Sequence, residues 1–326
     1  MSALLDIRDL EVVYPSKKGP VRAVAGVSFS VEEARTLSLI GESGSGKSSI
    51  ARAVCGFHRP AGGEVWIAGR EIVRERNRQA YAAGESGIQI VFQDPLNALD
   101  PRWPVWRSVS EPRLARKPSG QGEHRTAAIA LLERVGLSAR LADRRPHQLS
   151  GGQRQRVTIA RALAAEPKLI ILDEAVSALD VSVRNEILAL LDDLRSERGL
   201  TYLFISHDMG AVAQISHDVA VLYLGQLMEF GSAERLIGQP RHPYTRALIA
   251  AVPSIDEGPG GVRPSIGDVD DPARPPPGCR FSRRCPYTID RCREEMPTLR
   301  EEDGRMVSCH RAEEIELISA LQSSRQ

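Results

Sequence analysis

The chain has 326 residues, of which 42% are hydrophobic and 26% charged, and its formal net charge is +1. This length suits one large domain with an appendage or two domains, and the composition is ordinary for a globular protein. The near-zero net charge excludes an overall field that would recruit nucleic acid, and no run reaches the roughly 18 apolar residues of a membrane span. The start, Met1 to Asp6, lacks the layout of a secretory signal, so we expect a cytoplasmic protein.

The first part of the chain alternates apolar and polar residues as strands do. Such alternation covers residues 4–14 and 21–31, and residues 34–40 lead into a glycine-rich loop. A Gly-Gly turn precedes the apolar stretch 64–67, so we predict a small antiparallel sheet beside a larger core. Residues 87–93 predict a further, buried strand that ends in a polar residue.

The composition changes between residue 94 and about residue 150, where prolines, arginines and short helical patterns predict an inserted helical subdomain. Helices then alternate with apolar strands in the manner of a parallel sheet, with strands at residues 168–172, 200–205 and 219–224. The core is expected to end near Gly231. Residues 252–278 have the Pro, Gly and Asp content of a linker, and a polar helix is predicted to close the chain.

The glycine-rich loop carries a specific pattern, because residues 41–48 read Gly-Glu-Ser-Gly-Ser-Gly-Lys-Ser between a predicted strand and a predicted helix. This is the phosphate-binding P-loop. Its glycines let backbone N–H groups face phosphate oxygens, and the helix adds its positive end. We expect Lys47 to reach the β- and γ-phosphates and Ser48 to bind Mg²⁺. The predicted nucleotide-binding residues of the loop are Gly41, Ser43, Gly44, Ser45, Gly46, Lys47, Ser48 and Ser49.

A second stretch places two carboxylates at the end of a strand, since Leu169 to Leu172 are apolar and Asp173 and Glu174 follow. Ligands gather at the carboxyl ends of parallel strands. We expect Asp173 to hold Mg²⁺ and Glu174 to act as general base on the attacking water. An acidic turn without a catalytic role is the alternative, and the P-loop earlier in the chain argues against it.

A third stretch, residues 149–153, reads Leu-Ser-Gly-Gly-Gln and precedes a predicted helix that Ser150 would cap. With these three motifs, the chain resembles the ATP-binding subunits of ABC transporters over roughly residues 4–235. The resemblance assigns the two Walker motifs to residues 41–48 and 169–173, and the signature to residues 149–153. Ala175 departs from the proline that often follows the catalytic glutamate in this family.

The resemblance also implies roles for single residues. Glu174, His207, Lys47 and Gln93 would form the catalytic set, with His207 as the switch histidine. Ser48, Gln93 and Asp173 would serve Mg²⁺, and residues 177–180 would form the D-loop. Tyr14 would stack on adenine. Each has a structural alternative: Tyr14 as a core residue, His207 as a partner of a backbone group and Gln93 as a hydrogen-bonded strand end.

Two such subunits are expected to sandwich two ATP molecules. Each ATP would lie between the Walker motifs of one subunit and the signature of the other. The signature residues acting in trans would be Ser150, Gly151, Gly152 and Gln153, whose donors would stabilise γ-phosphate charge.

The phrase His-Pro-Tyr-Thr-Arg at residues 242–246 is similar to the C-terminal extension of ATPases from dipeptide, oligopeptide and nickel importers. Residues 91–95 and 173–182 are similar to the second ATPase of such importers. The resemblance implies an α/β fold with a P-loop NTPase core, an antiparallel β subdomain, an inserted helical subdomain and a small cysteine-containing extension. The expected domains are 1–238, with the helical subdomain at about 94–150, and 239–326.

The implied partners are a homologous ATPase, two transmembrane permease subunits and an extracytoplasmic substrate-binding protein, with no nucleic acid. We expect the chain on the cytoplasmic face of a bacterial membrane, with its docking groove near Gln93 to Val109. Cargo choice between peptides, nickel and glutathione-like compounds stays open. The alternatives outside transport are a soluble ABC ATPase and a regulatory module that binds ATP without turnover.

Four cysteines crowd into the C-terminal part with the spacing C-x5-C-x6-C-x16-C, at Cys279, Cys285, Cys292 and Cys309. Such a set in a loop-rich segment suggests a metal centre and suits zinc or an iron–sulfur cluster. The spacing lacks the short knuckle of most zinc sites and also differs from the ferredoxin patterns. The resemblance implies a [4Fe-4S] cluster, with zinc and free thiols as alternatives. Cys55 is expected to be an ordinary buried residue.

Overall fold

The computed structural model describes residues 3–16, 19–72, 87–116, 120–251 and 270–314. Within these ranges, the strands are β1 Ala3–Tyr14, β2 Val21–Glu32, β3 Thr36–Ile40, β4 Gly62–Ile67, β5 Arg70–Glu71, β6 Ile88–Val91, β7 Leu169–Asp173, β8 Thr201–Ile205, β9 Asp218–Tyr223, β10 Gln226–Ser232, β11 Arg300–Glu302 and β12 Arg305–Val307. The helices are α1 Lys47–Val54, α2 Pro95–Ala98, α3 Val105–Arg116, α4 Gln121–Arg134, α5 Gly151–Leu163, α6 Val181–Arg198, α7 Met209–Ile215, α8 Ala233–Gly238, α9 Pro243–Ala250 and α10 Asp290–Glu294.

The smaller sheet is antiparallel and has the strand order β2-β1-β4-β5. Strand β1 pairs with β2 and β4, and its residues Leu5, Ile7, Leu10 and Val12 are buried. This alternation explains why the segment forms a half-buried strand. The predicted antiparallel β subdomain is confirmed.

The larger sheet has the order β11-β12-β10-β9-β3-β8-β7-β6, in which β9, β3, β8, β7 and β6 run parallel. In parallel sheets helices cover both faces, so the strands consist of continuous runs of mostly apolar residues. Strands β3 and β8 fit this pattern, because every residue in them is buried. The carboxyl ends of β3, β7 and β8 meet at one edge. That edge carries the loops after Ile40, Asp173 and Ile205.

The inserted helical subdomain consists of α2, α3, α4 and two short 3₁₀ turns, Ala139–Leu141 and Pro146–Gln148. Its apolar side chains, such as Val109 and Leu132, are fully buried and join the core that lies under α5. The predicted fold class is therefore confirmed. No helix among the described residues is long and apolar enough to cross a membrane.

The C-terminal segment is joined to the larger sheet, since β12 pairs with β10 and β11 pairs with β12. Residues 270–278 have no helix or strand, as the linker prediction implies, but they are held against the core. Asp270 accepts a hydrogen bond from the hydroxyl of Tyr223 at 3.1 Å, because this part of the chain packs against the end of β9. The rest of the expected linker, residues 252–269, lies outside the described residues, as does the chain after residue 314, the region of the predicted closing helix.

Candidate functional site

The phosphate-binding loop is wedged between the two sheets. Gly41 has φ +143°, and a Cβ there would lie 2.1 Å from the carbonyl oxygen of Leu222. Gly46 has φ +107°, and a Cβ there would lie 2.4 Å from the carbonyl oxygen of Ala23. Only glycine fits either position, because any side chain would collide with backbone and the torsion is left-handed at Gly46. Both sheets thus fix the course of the loop.

Helix α1 begins directly after this loop, with Gly46 at its N-cap position and no side chain capping it. The first N–H groups of a helix have no partners within the helix, and the helix dipole makes this end positive. The end of α1 therefore offers donors and positive potential to an anion, as the sequence predicted for a phosphate.

The Lys47 side chain is buried at the centre of the loop. Its ammonium donates to the carbonyl oxygens of Gly41 at 2.7 Å and Glu42 at 2.9 Å, and to the Ser45 hydroxyl at 3.2 Å. Burial lowers the pKa of Lys47, while the carboxylates of Glu174, Asp173 and Glu42 act against this shift. The ammonium can exchange these acceptors for phosphate oxygens without moving far from the loop.

Ser48 and Asp173 come together at the end of β7, as predicted. The Ser48 hydroxyl donates to Asp173 Oδ1 at 3.2 Å. Burial raises the pKa of Asp173, and the hydrogen bond from Ser48 is the largest influence in the opposite direction. A hydroxyl and a carboxylate in contact are hard oxygen ligands of the kind Mg²⁺ prefers, so these two residues fit a magnesium site.

Glu174 and His207 lie side by side because their strands are neighbours. Asp173 is opposite Ile205 in the β7–β8 ladder, and the Glu174 N–H donates to the carbonyl oxygen of Ile205 at 2.9 Å. Glu174 has φ +51°, a left-handed conformation that costs a non-glycine residue about 1 kcal/mol or more. The two side chains approach to 3.6 Å between His207 Nδ1 and Glu174 Oε1. The structure thus brings together the predicted base and switch histidine.

Gln93 is exposed at the same edge of the sheet. It follows β6 by two residues, and the last residue of β6, Val91, is opposite Leu172 of β7. Tyr14 ends β1, and its ring packs on His58 with centroids 4.4 Å apart. The Tyr14 hydroxyl is buried, so the ring is partly a packing residue, as the structural alternative proposed.

The signature stretch forms the exposed start of α5. Ser150 Oγ accepts from the Gln153 N–H at 3.3 Å, and Gln153 Oε1 accepts from the Ser150 N–H at 3.1 Å. This reciprocal capping box fixes the turn. A Cβ on Gly151 would lie 3.9 Å from the Leu179 side chain, so the turn packs beside the D-loop. The N–H groups of an exposed helix start remain suited to an anion supplied by another molecule.

Two residues contact the loop from far along the chain, and the sequence did not predict either contact. The Glu42 N–H donates to the hydroxyl of Tyr244 at 2.8 Å, and the Glu42 carboxylate accepts from both terminal nitrogens of Arg284 at 2.7 and 2.8 Å. The His-Pro-Tyr-Thr-Arg phrase drew attention to the region of Tyr244. No local pattern marked Arg284, because its partner lies 242 positions away.

All five cysteines are free of disulfides. Burial raises the pKa of Cys279, Cys285 and Cys309 to about 11. The charges of two other cysteines of the C-terminal set also raise the pKa of each thiol, and Cys292 is one of the two in every case. The Cys279 N–H also donates to the carbonyl oxygen of Cys292 at 2.8 Å, so these two residues are adjacent. Across the described residues, however, no group of three or more His, Cys, Asp or Glu side chains could hold a metal ion, so the structure does not support the predicted metal centre.

The fold and the site together define an ATPase of the P-loop class with an inserted helical subdomain. Solved structures agree with this. A dimeric post-hydrolysis state of the ATP-binding cassette MJ0796 bound to ADP and Pi is similar with a TM-score of 0.64 and 27% identity, covering 70% of this chain and 98% of that one. CbiO1 from Clostridium perfringens, part of an ABC transporter complex, is similar with a TM-score of 0.65 and 29% identity, covering 73% and 92%.

Two family models match the chain: ABC transporter at residues 24–177, and oligopeptide/dipeptide transporter, C-terminal region, at residues 228–292. The dipeptide transport ATP-binding protein DppF of Escherichia coli is 41% identical, covering 94% of this chain and 93% of its own length. The oligopeptide transport ATP-binding protein AppF of Bacillus subtilis is 40% identical, covering 94% and 97%. The chain belongs to the ABC transporter family, as an ATP-binding subunit that hydrolyses ATP.

Proposed function

We propose that this ATPase powers the import of dipeptides and oligopeptides across the cytoplasmic membrane. The observation that carries the proposal is the match of residues 228–292 to the C-terminal region of oligopeptide and dipeptide transporters. The relatives named for dipeptide and oligopeptide transport support it, because they match the chain over nearly its whole length. The chain would act on the cytoplasmic face of a bacterial membrane, with a homologous ATPase, two permease subunits and an extracytoplasmic binding protein.

The catalytic roles follow from the geometry of the site. Glu174 would take a proton from the attacking water, and His207 beside it would hold that water and the γ-phosphate. Lys47 would turn from its backbone acceptors to the β- and γ-phosphates, and Gln93 would contact water and metal from the neighbouring strand end. Ser48 and Asp173 would hold Mg²⁺, which neutralises phosphate charge when bound.

The signature turn would complete the site of a partner subunit. Ser150, Gly151, Gly152 and Gln153 lie at an exposed helix start, where their donors can meet the γ-phosphate of an ATP held by another cassette. Tyr14 would contact adenine with the part of its ring that His58 leaves accessible. The boundary between the cassette and the extension, near residue 238, stays a prediction.

A groove in the helical subdomain supports permease docking where it was expected, between Gln93 and Val109. A cavity of about 630 Å³ opens there, lined by apolar Leu96, Leu99 and Trp103 and by charged Arg102, Glu111 and Arg161. Leu96 in this lining and Phe92 nearby in the sequence are exposed large hydrophobic residues. Apolar and charged side chains together can receive a short helix from a membrane partner.

Cargo can be tested with the transporter reconstituted in vesicles together with its permeases and binding protein. We expect di- and oligopeptides to stimulate ATP hydrolysis and to enter the vesicles, because the binding protein signals cargo to the ATPases. Free amino acids and Ni²⁺ serve as controls and should do neither. Stimulation by Ni²⁺ without any response to peptides would assign the chain to a nickel importer.

We also propose that the four C-terminal thiols bind a [4Fe-4S] cluster. The support is the set itself, four cysteines within one short segment, in which the Cys279 N–H donates to the carbonyl oxygen of Cys292 at 2.8 Å. Cysteine thiolates are the usual ligands of such clusters. A cluster would tie down a segment too small to build its own core.

Anaerobic purification followed by iron, zinc and sulfide analysis tests this proposal. We expect about four irons per chain and broad visible absorbance. Cys285→Ser should lose the bound iron and the visible absorbance. Cys55→Ser should keep them, because Cys55 lies at the end of the helix after the P-loop and not in the C-terminal set. A chain that purifies with one zinc and no sulfide would overturn the cluster.

A further inference from the structure

Glu42, the second residue of the phosphate-binding loop, is held at three separate points. Its N–H donates to the Tyr244 hydroxyl at 2.8 Å, its carbonyl oxygen accepts from Lys47 at 2.9 Å, and its carboxylate is gripped by both terminal nitrogens of Arg284. Two of these three partners come from the C-terminal part of the chain. The residue that precedes the phosphate-facing backbone is thus fixed by elements outside the cassette motifs.

The contact between Arg284 and Glu42 is sheltered from water, which sets it apart from the surface ion pairs of the molecule. The Arg284 side chain is 5% exposed and that of Glu42 is 22% exposed. Arg284 also donates to the Tyr223 hydroxyl at 3.0 Å and lies over the Tyr223 ring at 5.4 Å. A bidentate arginine–carboxylate pair fixes the orientation of both side chains as well as their distance. An exposed pair contributes little, because water and salt screen it.

An aromatic cluster anchors Arg284 to the core. Phe281 is 1% exposed and packs on Tyr223 and Tyr244, with ring centroids 5.4 and 5.2 Å apart. Phe281 precedes Arg284 by three residues in the segment between Cys279 and Cys285. The position of the arginine is therefore set by the same short segment that carries two of the four C-terminal thiols.

The residues just before this segment also approach the phosphate-binding loop. A Cβ built on Gly44 would lie 3.9 Å from Pro272 Cγ, so this proline stands next to the middle of the loop. Asp270, two residues earlier, accepts from the Tyr223 hydroxyl at 3.1 Å and lies 3.3 Å from Arg283. Contacts at Glu42 and at Gly44 together span the part of the loop that precedes Lys47.

We propose that residues 270–285 together with Tyr244 form an intramolecular clamp on the phosphate-binding loop, and that Arg284 is a positioning residue which holds Glu42 and thereby sets the affinity for ATP. The proposal rests on the assignment of residues 41–48 as the phosphate site. A loop that already has its binding conformation loses less conformational entropy when ATP binds. When that conformation is less populated, the apparent dissociation constant for ATP rises. The C-terminal extension thereby becomes part of the nucleotide site.

The decisive measurement is ATP affinity of the full chain and of its Arg284→Gln variant. We expect the dissociation constant to rise at least about fivefold, the lower end of typical coupling between sites. In the assembled transporter KM for ATP should rise while kcat at saturating ATP stays close to the wild-type value, because Arg284 touches no reacting atom. Arg284→Lys keeps the positive charge but cannot make both hydrogen bonds to the Glu42 carboxylate. Its dissociation constant for ATP should lie between those of the wild type and Arg284→Gln. Unchanged or tighter ATP binding by Arg284→Gln would overturn the clamp.

A double-mutant cycle tests whether Arg284 acts through Glu42. If it does, Glu42→Gln combined with Arg284→Gln should weaken ATP binding no more than the stronger single change. Multiplied effects would show that the two residues act separately and would refute the mechanism. Arg293→Ala is the matched control, since Arg293 pairs with Asp290 in helix α10, outside the clamp, and both side chains are exposed. It should bind ATP like the wild type.

Tyr244→Phe keeps the test decisive if Arg284→Gln fails to fold. It removes one hydroxyl and leaves the Glu42 N–H without its acceptor, while the aromatic packing stays. We expect weaker ATP binding than in the wild type, and unchanged affinity would contradict the clamp. Lys47→Ala checks the underlying assignment independently. If that variant bound ATP normally, the phosphate site itself would be misassigned.

Discussion

The contacts at the catalytic edge of the sheet and those of the C-terminal segment differ in whether a sequence motif marks both partners. At the edge, Lys47 contacts residues within six positions of itself, and Ser48 contacts Asp173 across 125 positions, but each of these residues lies in or beside a motif. In the C-terminal segment, Tyr244 and Arg284 reach Glu42 across 202 and 242 positions. A contact between two motifs can be predicted from the sequence, whereas a contact from a residue outside any motif, such as Arg284, cannot.

The two regions also differ in how deeply their charges lie. His207 is 61% exposed and Glu174 25%, as suits groups that must meet water and nucleotide. The Arg305 side chain on β12 is 1% exposed and that of Glu229 on β10 is 0% exposed. We therefore expect changes at Glu174 and His207 to alter chemistry with little loss of stability, and changes at Arg305 and Glu229 to do the reverse.

Glu174→Gln should give the largest effect. Removing a general base costs about 10²- to 10⁴-fold in rate, so ATP hydrolysis by the assembled transporter should nearly vanish while ATP still binds. Phosphate release and equilibrium binding measure the two quantities. The matched control is Glu186→Gln, at an exposed carboxylate that pairs with Arg156. Wild-type turnover in Glu174→Gln would exclude this residue as the base.

Arg305→Ala should lower stability without changing a catalytic residue. It leaves the buried Glu229 carboxylate without its opposite charge and removes donors to the carbonyl oxygens of Arg235 and Gln239. Breaking a buried pair in this way costs about 3–5 kcal/mol of the free energy of unfolding. Denaturant unfolding at fixed pH measures the loss.

Arg300→Ala provides the control for that experiment. Arg300 pairs with Glu313, but both side chains are substantially exposed, so the pair should contribute at most about 1 kcal/mol. Equal losses for Arg300→Ala and Arg305→Ala would contradict the claim that burial decides the strength of charge pairs in this segment.

The pH dependence of stability should report on His242, which is buried and caps α9 by accepting from the Tyr244 N–H at 3.0 Å. Burial lowers its pKa from 6.5 to about 3. Between these values the unfolded chain binds the proton and the folded chain does not, so stability should fall as pH falls through this window. The slope from this residue is at most about 1.4 kcal/mol per pH unit.

Unfolding of the wild type and of His242→Asn from pH 7 to pH 4 measures this slope. Asparagine can accept the same N-cap hydrogen bond but does not titrate here. The variant should therefore show the shallower pH dependence. Parallel curves would assign the acid sensitivity to other groups.

Ser150→Ala should give the smallest effect on stability, about 1 kcal/mol, because it removes one N-cap acceptor from the Gln153 N–H. Its effect on hydrolysis by the assembled transporter should exceed what this loss of stability explains, since the same hydroxyl is proposed to face a partner's ATP. Ser138→Ala, at the exposed cap of a short 3₁₀ turn, is the control. Equal hydrolysis in both variants would speak against the trans role.

Much of the fold and site could be predicted because it depends on short-range chemistry. Strand alternation placed β1 and β2, the glycine spacing placed the loop before α1, and the apolar run before Asp173 placed β7. The Glu42–Arg284 and Glu229–Arg305 pairs could not be predicted, because a side chain that meets a partner far along the chain leaves no periodic signal. The packing of residues 270–278 could not be predicted for the same reason: a Pro- and Asp-rich composition does not reveal that Tyr223 and Gly44 lie nearby.

The hairpin of β11 and β12 completes the side of the large sheet beyond β10. A polypeptide that stopped at residue 238 would keep every Walker and signature residue and yet present the bare rim of β10 to solvent. Unpaired strand rims recruit further strands from neighbouring molecules. Trimming this ATPase to a minimal catalytic unit would therefore favour self-association through β10, because β12 would no longer cover that strand.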